Sequence, residues 1–445
     1  MVGFEYDTSS LIWAWQLLDP LWLREDLLTS LWNMHMQPPL FNLLTATVLK
    51  SNLPPKVLLD PLYLTLGALT TLTLHAIARR LGFSEILSFL AVALIFTLNP
   101  ASIVYETWYF YTYPALFLTS LAVLSMMEFS RSGALLPLLG VFATLSLLIL
   151  LRSTYNLLLI PSVAAVLAWH LRRRALRIML VASLFALPPL LWYGKNLVKF
   201  GLFSSSSWFP MNLLQVITGE HTLLRGNRER IVSLHRRGEV SAVATLPPFS
   251  PPEVYEAFLG PSPPAGVEAL DAPRKPSSGR INYNHRIYPE VFKVLLRDHM
   301  LLLRRMPDAY VVGTAAGALY FTLPPYAHTT FSPRLFAEGN RRRLARLRPW
   351  LKAYDLAYGW MGGLLPGITV LLLLVVFIRG LPDALREPIR AAPSLFLLYL
   401  VLVHAPFERG ENMRFRFQFE PPLILFALRS AFRRGPTSQP SCTDS

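Results

Sequence analysis

Nine apolar segments divide this chain, and they constrain its fold more than any other feature of the sequence. Each is long enough, or nearly so, to cross about 30 Å of hydrocarbon at about 1.5 Å per helical residue. Because a backbone inside a bilayer must satisfy its own hydrogen bonds, helices are expected. The segments are residues 57–78, 84–103, 111–128, 134–151, 154–171, 175–193, 356–378, 393–407 and 418–432. The sequence predicts an all-α polytopic membrane protein with about nine transmembrane helices.

Composition supports this class of protein. Of the 445 residues, 53% are hydrophobic and 16% charged, whereas about a quarter are charged in soluble domains. The net charge of +15 does not indicate a nucleic-acid partner, because the basic residues cluster beside apolar segments, as orientation signals and lipid-headgroup contacts do. Membrane lipid is the expected partner. The single cysteine, Cys442, lies in a polar tail, which excludes an intrachain disulfide.

Loop charges and polarity predict five regions. Arginines at 79–80, 131 and 172–177 are expected on the cytoplasmic side. The regions are a first external loop with interfacial helices (1–56), a six-helix membrane core (57–194), a long external excursion (195–355), C-terminal transmembrane helices (356–434) and a disordered tail (435–445). The protein is expected to be a multi-pass integral membrane protein, of the inner membrane if bacterial or of the endoplasmic reticulum if eukaryotic.

Two parts of this topology have alternatives. Residues 309–325 are predicted to be re-entrant or interfacial, although the arginine-rich run at 341–348 favours a crossing. An external first loop has no preceding span to carry it across, so an upstream transmembrane helix is expected to be missing. A genuine external amino terminus is the other interpretation.

The first motif with chemical content is His35-Met36-Gln37-Pro38-Pro39-Leu40. Because the double proline is acceptable only in a first turn, it predicts a helix from about Pro39 to Lys50, with free N–H groups suited to an anion such as phosphate. His35 could bind a divalent metal, orient a carboxylate or contact a phosphate; a lone histidine is also commonly structural. Gln37 could bind the same anion or hydrogen-bond its own loop.

A second motif, residues 411–417, combines arginines with aromatic residues. If the segment is extended, its two arginines face one side and its phenylalanines the other. Arginine's planar fork suits phosphate, so Arg414 and Arg416, with Glu411, are expected at a phosphate site. The alternative is an interfacial pair of snorkelling side chains. Glu420, just inside the last apolar segment, is expected to pair with Arg414 or Arg416.

These motifs resemble the GT-C superfamily of polyprenyl-phosphate-sugar-dependent glycosyltransferases, best over residues 4–177. Its named members include protein O-mannosyltransferases and lipid A aminoarabinose transferases. The shared features are Tyr6-Asp7 and Trp13-Ala14 in a first external loop, the motif at 35–40, and a basic, aromatic motif outside a late helix. The resemblance implies inverting transfer of a hexosyl or pentosyl group from a lipid-phosphate-linked donor, on the external or luminal face. It leaves the sugar, the carrier and the acceptor open.

Inverting transfer needs a carboxylate to deprotonate the acceptor hydroxyl and cationic groups to stabilise the departing phosphate. Asp7 and Glu106 are the external carboxylates placed to serve, with His35 as a third catalytic candidate. Asp7 could instead cap a helix, and Glu106 could be a solvated turn carboxylate. Lys195, directly after a span, could hold the donor phosphate or snorkel. This chemistry requires no cofactor, and the sequence leaves open whether a divalent metal ion takes part.

Two other classes compete with a glycosyltransferase. A multi-pass solute or lipid transporter commonly shows two related halves with interrupted helices and midplane charges, whereas this sequence has no evident repeat and carries its polar motifs outside the spans. The third class is a non-catalytic membrane scaffold, which an absent first helix would favour.

Overall fold

The computed structural model describes residues 4–218, 226–326, 338–357, 368–404 and 411–432. Within these ranges the chain is helical, with two isolated β-bridges and no strand. The predicted all-α fold class is confirmed. The predicted tail, residues 435–445, lies outside the described residues.

The first loop contains four short helices. The carboxylates of Asp19 and Asp26 cap two of them by accepting from Leu21 N and Thr29 N. The helix predicted from about Pro39 begins at Leu40, one residue later. The helices are α1 (Ser10–Trp13), α2 (Pro20–Glu25), α3 (Leu27–Trp32) and α4 (Leu40–Lys50).

A bundle of apolar helices follows. Its helices are α5 (Pro55–Arg80), α6 (Glu85–Val92), a π-helical turn (Ala93–Thr97), α7 (Pro100–Glu106), α8 (Thr112–Ser132), α9 (Leu135–Leu151), α10 (Leu159–His170) and α11 (Ala175–Phe200). The central helix is α8, which packs against α5 and α9 and is largely buried. This packing produces one hydrophobic core through the bundle.

The carboxyl-terminal part adds α18 (Glu338–Arg346), α19 (Arg348–Ala357), α20 (Ile368–Arg386), α21 (Pro388–His404), α22 (Asn412–Phe417) and α23 (Glu420–Ala431). The segment around Arg414 is therefore a helix, and the extended conformation considered from the sequence is wrong. In a helix, residues two apart do not share a face, so Arg414 and Arg416 point to different surroundings. The predicted partner of Glu420 is confirmed, since its Oε1 lies 3.2 Å from Arg416 Nε.

In the described parts of the chain, four helices are long and apolar enough to cross a membrane: α5, α8, α11 with the turn before it, and α20. A fifth span results if the pair formed by α6 and α7, bent by 58°, counts as one. Several of the other predicted spans are shorter helices, of 17 residues in α9 and α21 and 12 residues in α10 and α23. The helices support a polytopic membrane protein, and the full count of nine spans stays a prediction.

The outer surface of α11 shows why this helix suits a bilayer. Large apolar side chains recur every three or four residues along it and are 51% to 76% exposed. This spacing places them on one face, and an exposed apolar stripe of this length fits lipid. The stripe comprises Leu176, Leu180, Leu184, Leu187 and Leu191.

The long excursion folds into helices with a core of their own. They are α12 (Phe209–Thr218), α13 (Asn227–Arg236), α14 (Pro252–Leu259), α15 (Glu268–Asp271), α16 (Ile287–Arg305) and α17 (Pro307–Thr322). Their buried side chains, including Trp208, Tyr288 and Leu295, join Trp22 and Met34 of the first loop in a second hydrophobic core. The first loop and the excursion thus form one packed layer beside the bundle.

Helix α17 covers most of the segment predicted to be re-entrant or interfacial. It contacts α12, where Gly313 lies directly against the backbone of Val216, and also contacts α22. A side chain at Gly313 would separate the two helices. The helix has 16 residues and is not among the candidate spans, so its relation to the membrane stays a prediction.

Candidate functional site

A cavity of about 390 Å³ opens where the first loop, the turn after α7, the excursion and α22 meet. Three segments predicted to share one face of the membrane therefore border one space. Its lining is polar and aromatic in character: Trp13, Trp15, Gln16, Gln37, Trp108, Phe110, Tyr111, Arg152, Ser153, Trp208, Asn212, Gln215, Phe249, Arg280, Glu411, Arg414 and Phe415.

One side of the cavity, which we call the cationic wall, combines Arg152, Arg414 and Glu411 with Tyr111 and Phe415. Arg152 Cζ lies 3.5 Å from the centroid of the Phe415 ring, and Arg414 Cζ lies 4.9 Å from it. Both arginines are buried. Aromatic faces attract guanidinium groups, so the rings hold two like charges together in a site with little solvent.

The carboxylate on this wall is Glu411. It accepts a hydrogen bond from Arg414 Nη2, one turn along the chain. Among the described residues that line the cavity, Glu411 is the one acidic side chain, against three arginines. The cavity is therefore cationic, and its carboxylate is paired with one of the arginines, Arg414.

A second group of lining residues, which we call the amide wall, comprises Trp15, Trp208, Asn212, Gln215 and Phe249. Residues 208, 212 and 215 are four and three positions apart, so α12 and the residue preceding it present them on one face. The Phe249 ring lies 5.9 Å from Trp15 and 5.4 Å from Trp208, measured between centroids. This wall offers flat apolar rings and amide groups that both donate and accept.

The arginine beside the amide wall, Arg280, belongs to a turn that is fixed to the first loop. In this turn, buried Lys275 donates to the carbonyls of Ala14 and Leu17, with Nζ–O distances of 2.8 and 2.6 Å. Ser277 binds the Asp19 carboxylate through its N–H and its hydroxyl. Burial lowers the pKa of Lys275 to about 7. The turn thus holds exposed Arg280 at the cavity.

His35 does not line the cavity; its hydrogen bonds attach the first loop to the excursion. Its ring is fully buried, with Nδ1 2.8 Å from Ser207 Oγ and Nε2 3.0 Å from the carbonyl oxygen of Asn284. Because a carbonyl only accepts, Nε2 carries the proton and Nδ1 accepts from the Ser207 hydroxyl. Both nitrogens are occupied, which favours the structural role over metal or phosphate binding.

The environment of His35 predicts a pH-dependent stability. Burial first, and the nearby Lys195 charge second, lower the pKa of His35 to about 3. An unfolded chain would take up this proton near pH 6.5, whereas the folded protein resists it. The neutral His35 ring therefore contributes its full share to the free energy of unfolding above about pH 6.5. This share falls as the pH falls, by up to about 1.4 kcal/mol per pH unit for one proton.

We expect the stability advantage of the wild type over His35→Gln to be largest near about pH 7 and to shrink towards about pH 4. Thermal unfolding of both proteins in detergent, followed by fluorescence across this range, measures it. Burial also lowers the pKa of His285 and His299, and both remain in the two proteins, so their effects cancel. A difference that stays constant with pH would contradict the assignment.

Gln37 and Lys195 were both predicted from the sequence to bind the donor, and only Gln37 lines the cavity. Gln37 lines the cavity, and its Oε1 accepts from the Ser153 hydroxyl at 3.1 Å. Lys195 lies outside the cavity lining, where its Nζ donates to the Met34 carbonyl and lies 3.6 Å from the Trp192 ring centroid. Lys195 therefore fixes the loop that carries Gln37.

Arg416 is also directed away from the cavity. Its guanidinium donates to the carbonyls of Phe321 and Leu323 at the end of α17, and it pairs with Glu420. These contacts fasten α17 to the last two helices. Of the two arginines predicted to bind phosphate, the structure brings Arg414 to the cavity and uses Arg416 as a structural tie.

Neither carboxylate predicted to be catalytic borders the cavity. The backbone of Asp7 pairs with Thr107 and Tyr109, and its Oδ1 accepts from Ser9 N at 2.8 Å in the turn before α1, whose N-cap residue is Ser9. Glu106 turns into the bundle, where its carboxyl meets the Tyr113 hydroxyl beside Gly67. Asp7 forms an isolated backbone β-bridge with Trp108, which lines the cavity, so Asp7 remains close to the site.

Arg152 is the residue that sequence reasoning missed. It directly follows α9 and is buried in the cationic wall. A signal was present, because the predicted topology places the end of this span outside, where arginines are disfavoured. A basic residue that opposes the orientation rule is a candidate for a function. The amide wall had no such signal, since its members come from distant parts of the chain.

No family model matches this sequence, and no curated protein or solved structure is detectably similar to it. Among the described residues, no group of three or more histidine, cysteine, aspartate or glutamate side chains could hold a metal ion.

Proposed function

We propose that this protein transfers a sugar from a polyprenyl-phosphate-linked donor to an acceptor at the external or luminal face of a membrane, with inversion. The observation that supports it most is the pair Arg152 and Arg414, held together on the Phe415 ring in a cavity beside apolar helices. Buried guanidiniums at such a place suit a phosphate whose lipid stays in the bilayer. The proposed topology keeps the nine crossings predicted from the sequence.

In the proposed reaction the acceptor oxygen forms a bond to the anomeric carbon of the sugar. The bond from that carbon to the phosphate oxygen breaks, and its electron pair leaves with the lipid phosphate. Arg152 and Arg414 stabilise the charge that develops on the phosphate. The hydroxyl proton goes to a carboxylate, for which we propose Glu411, since it borders the cavity.

The resemblance-based alternative for the base is Asp7. Its backbone β-bridge to Trp108 keeps it near the cavity, and the two assignments predict different variants to be inactive. Gln37, fixed by Ser153, is proposed to contact the donor.

A second, apolar cavity offers room for the lipid. It measures about 620 Å³ and lies between α19, α20, α23 and the π-helical turn after α6. Glu420, the partner of Arg416, is on its wall. We propose that the polyprenyl chain follows this apolar surface while its phosphate lies at the cationic wall.

The test is a transfer assay with the full chain in lipid nanodiscs and short-chain polyprenyl phosphates carrying labelled hexoses or pentoses. We expect saturable donor binding and, with a suitable acceptor, release of the polyprenyl phosphate. Donors that never bind would refute the proposal. Labelled solute or lipid that crosses proteoliposomes without release of the carrier would establish a transporter instead.

A further inference from the structure

The amide wall of the cavity differs from the cationic wall in chemistry. It has no buried charge; it presents ring faces and the side-chain amides of Asn212 and Gln215. The aromatic residues of the amide wall form a cluster of their own, because Trp15 and Trp208 each contact Phe249 and Tyr283. A phosphate would use the cationic wall, which leaves the amide wall for an uncharged group that offers a ring face and hydroxyls.

Two polar side chains of this wall, Trp208 and Asn212, line the cavity without a hydrogen-bond partner among the described residues. The indole N–H of Trp208, whose side chain is 5% exposed, has no hydrogen-bond partner among the described residues. Within the same ranges no residue hydrogen-bonds to the half-buried side chain of Asn212. A buried donor without an acceptor costs free energy, and an oxygen-rich ligand in the cavity would satisfy it.

The exposed ring of Trp15 supplies the apolar part of the site. Trp15 is 43% exposed although its ring packs 4.8 Å from Tyr283, centroid to centroid. One face is therefore held while the other stays open. Sugar rings have an apolar C–H face that stacks on aromatic rings and hydroxyl edges that donate and accept, as carboxamides do.

We infer that the amide wall binds a saccharide and that, in the proposed transfer, this saccharide is the acceptor, a glycan whose hydroxyl receives the transferred sugar. The role of the saccharide as an acceptor rests on the proposed function, whereas saccharide binding itself requires no donor. Trp15 stacks on the sugar ring, the Trp208 indole donates to a ring substituent, and Asn212 with Gln215 binds its hydroxyls. A peptide would be the other class of acceptor.

The experiment uses the full chain in nanodiscs and saturation-transfer NMR with three soluble trisaccharides, of glucose, mannose and galactose, and one serine- and threonine-containing hexapeptide. At least one trisaccharide is expected to bind at concentrations up to roughly 10 mM. Trp15→Ala is expected to weaken its binding by about tenfold or more. Asn212→Ala, which leaves Trp15 in place, is expected to weaken it as well.

Trp32→Ala is the matched control, because Trp32 is 62% exposed and does not line the cavity. It should leave saccharide binding unchanged. Absence of binding by all three trisaccharides, equal binding by Trp15→Ala and wild type, or displacement of the sugar by the hexapeptide would each overturn the inference.

A variant of the cationic wall separates this inference from the proposed function. Arg414→Ala should keep trisaccharide binding, since Arg414 belongs to the cationic wall. Trisaccharide binding by a protein that binds no lipid-phosphate donor would reject the proposed function alone. Donor binding without trisaccharide binding would reject the saccharide site alone.

Discussion

Glu411→Gln should lower the rate of sugar transfer by about 10² to 10⁴, the usual contribution of a general base, while donor binding is retained. The amide keeps an oxygen that can accept from Arg414, as the carboxylate does, so the wall should stay assembled. What is lost is the capacity to take the acceptor proton. Single-turnover rates, with donor affinity measured separately, give both quantities.

Two controls make this result specific. Glu387→Gln changes a glutamate that pairs with Arg390 in the same three-residue spacing, outside the cavity, and should leave the rate unchanged. Asp7→Asn keeps the oxygen that accepts from Ser9 N, so we expect less than about a tenfold effect. An inactive Asp7→Asn variant beside an active Glu411→Gln variant would assign the base to Asp7.

Arg414→Ala should weaken donor binding by on the order of 2 to 5 kcal/mol, or roughly 30-fold to 5,000-fold, as removal of a charge from a buried pair does. Arg414→Lys keeps the charge but loses the planar fork and the ring contacts, so its affinity should be intermediate. Titration of nanodisc-embedded protein with the polyprenyl phosphate donor measures this effect.

The matched control is Arg390→Ala. Arg390 is also a buried arginine paired with a glutamate three residues earlier, and it does not line the cavity. A general effect of removing a buried arginine would appear in both variants. Equal donor affinity of Arg414→Ala and wild type would exclude Arg414 from the phosphate site.

The sequence predicted the features that local rules determine. The double proline places the start of α4 within one residue, and hydropathy identifies α5, α8, α11 and α20. Glu420, predicted to lie just inside the last apolar segment, was expected to need a nearby cation, which is Arg416. Each of these follows from a short window of sequence.

The site was harder to predict because its geometry depends on tertiary contacts. Whether residues 411–417 are extended or helical decides which arginine meets the cavity, and the local pattern allowed both. Burial of His35 depends on Asn284, which is 249 positions away. Glu106 turns inward because Gly67, on another helix, leaves room for its carboxyl. Such distant pairings leave no mark in a local window.

The second core has a consequence for how the protein is made. Its side chains Trp22 and Met34 pack with Trp208 and Leu295, which a ribosome reaches long after the first loop has emerged. In the topology predicted from the sequence, the bundle helices between them enter the membrane before these partners are synthesised, so the apolar side chains of the first loop stay uncovered until then. Biogenesis of the outer layer is therefore late and of high contact order, and helpers that shield the waiting loop would raise the yield of native protein.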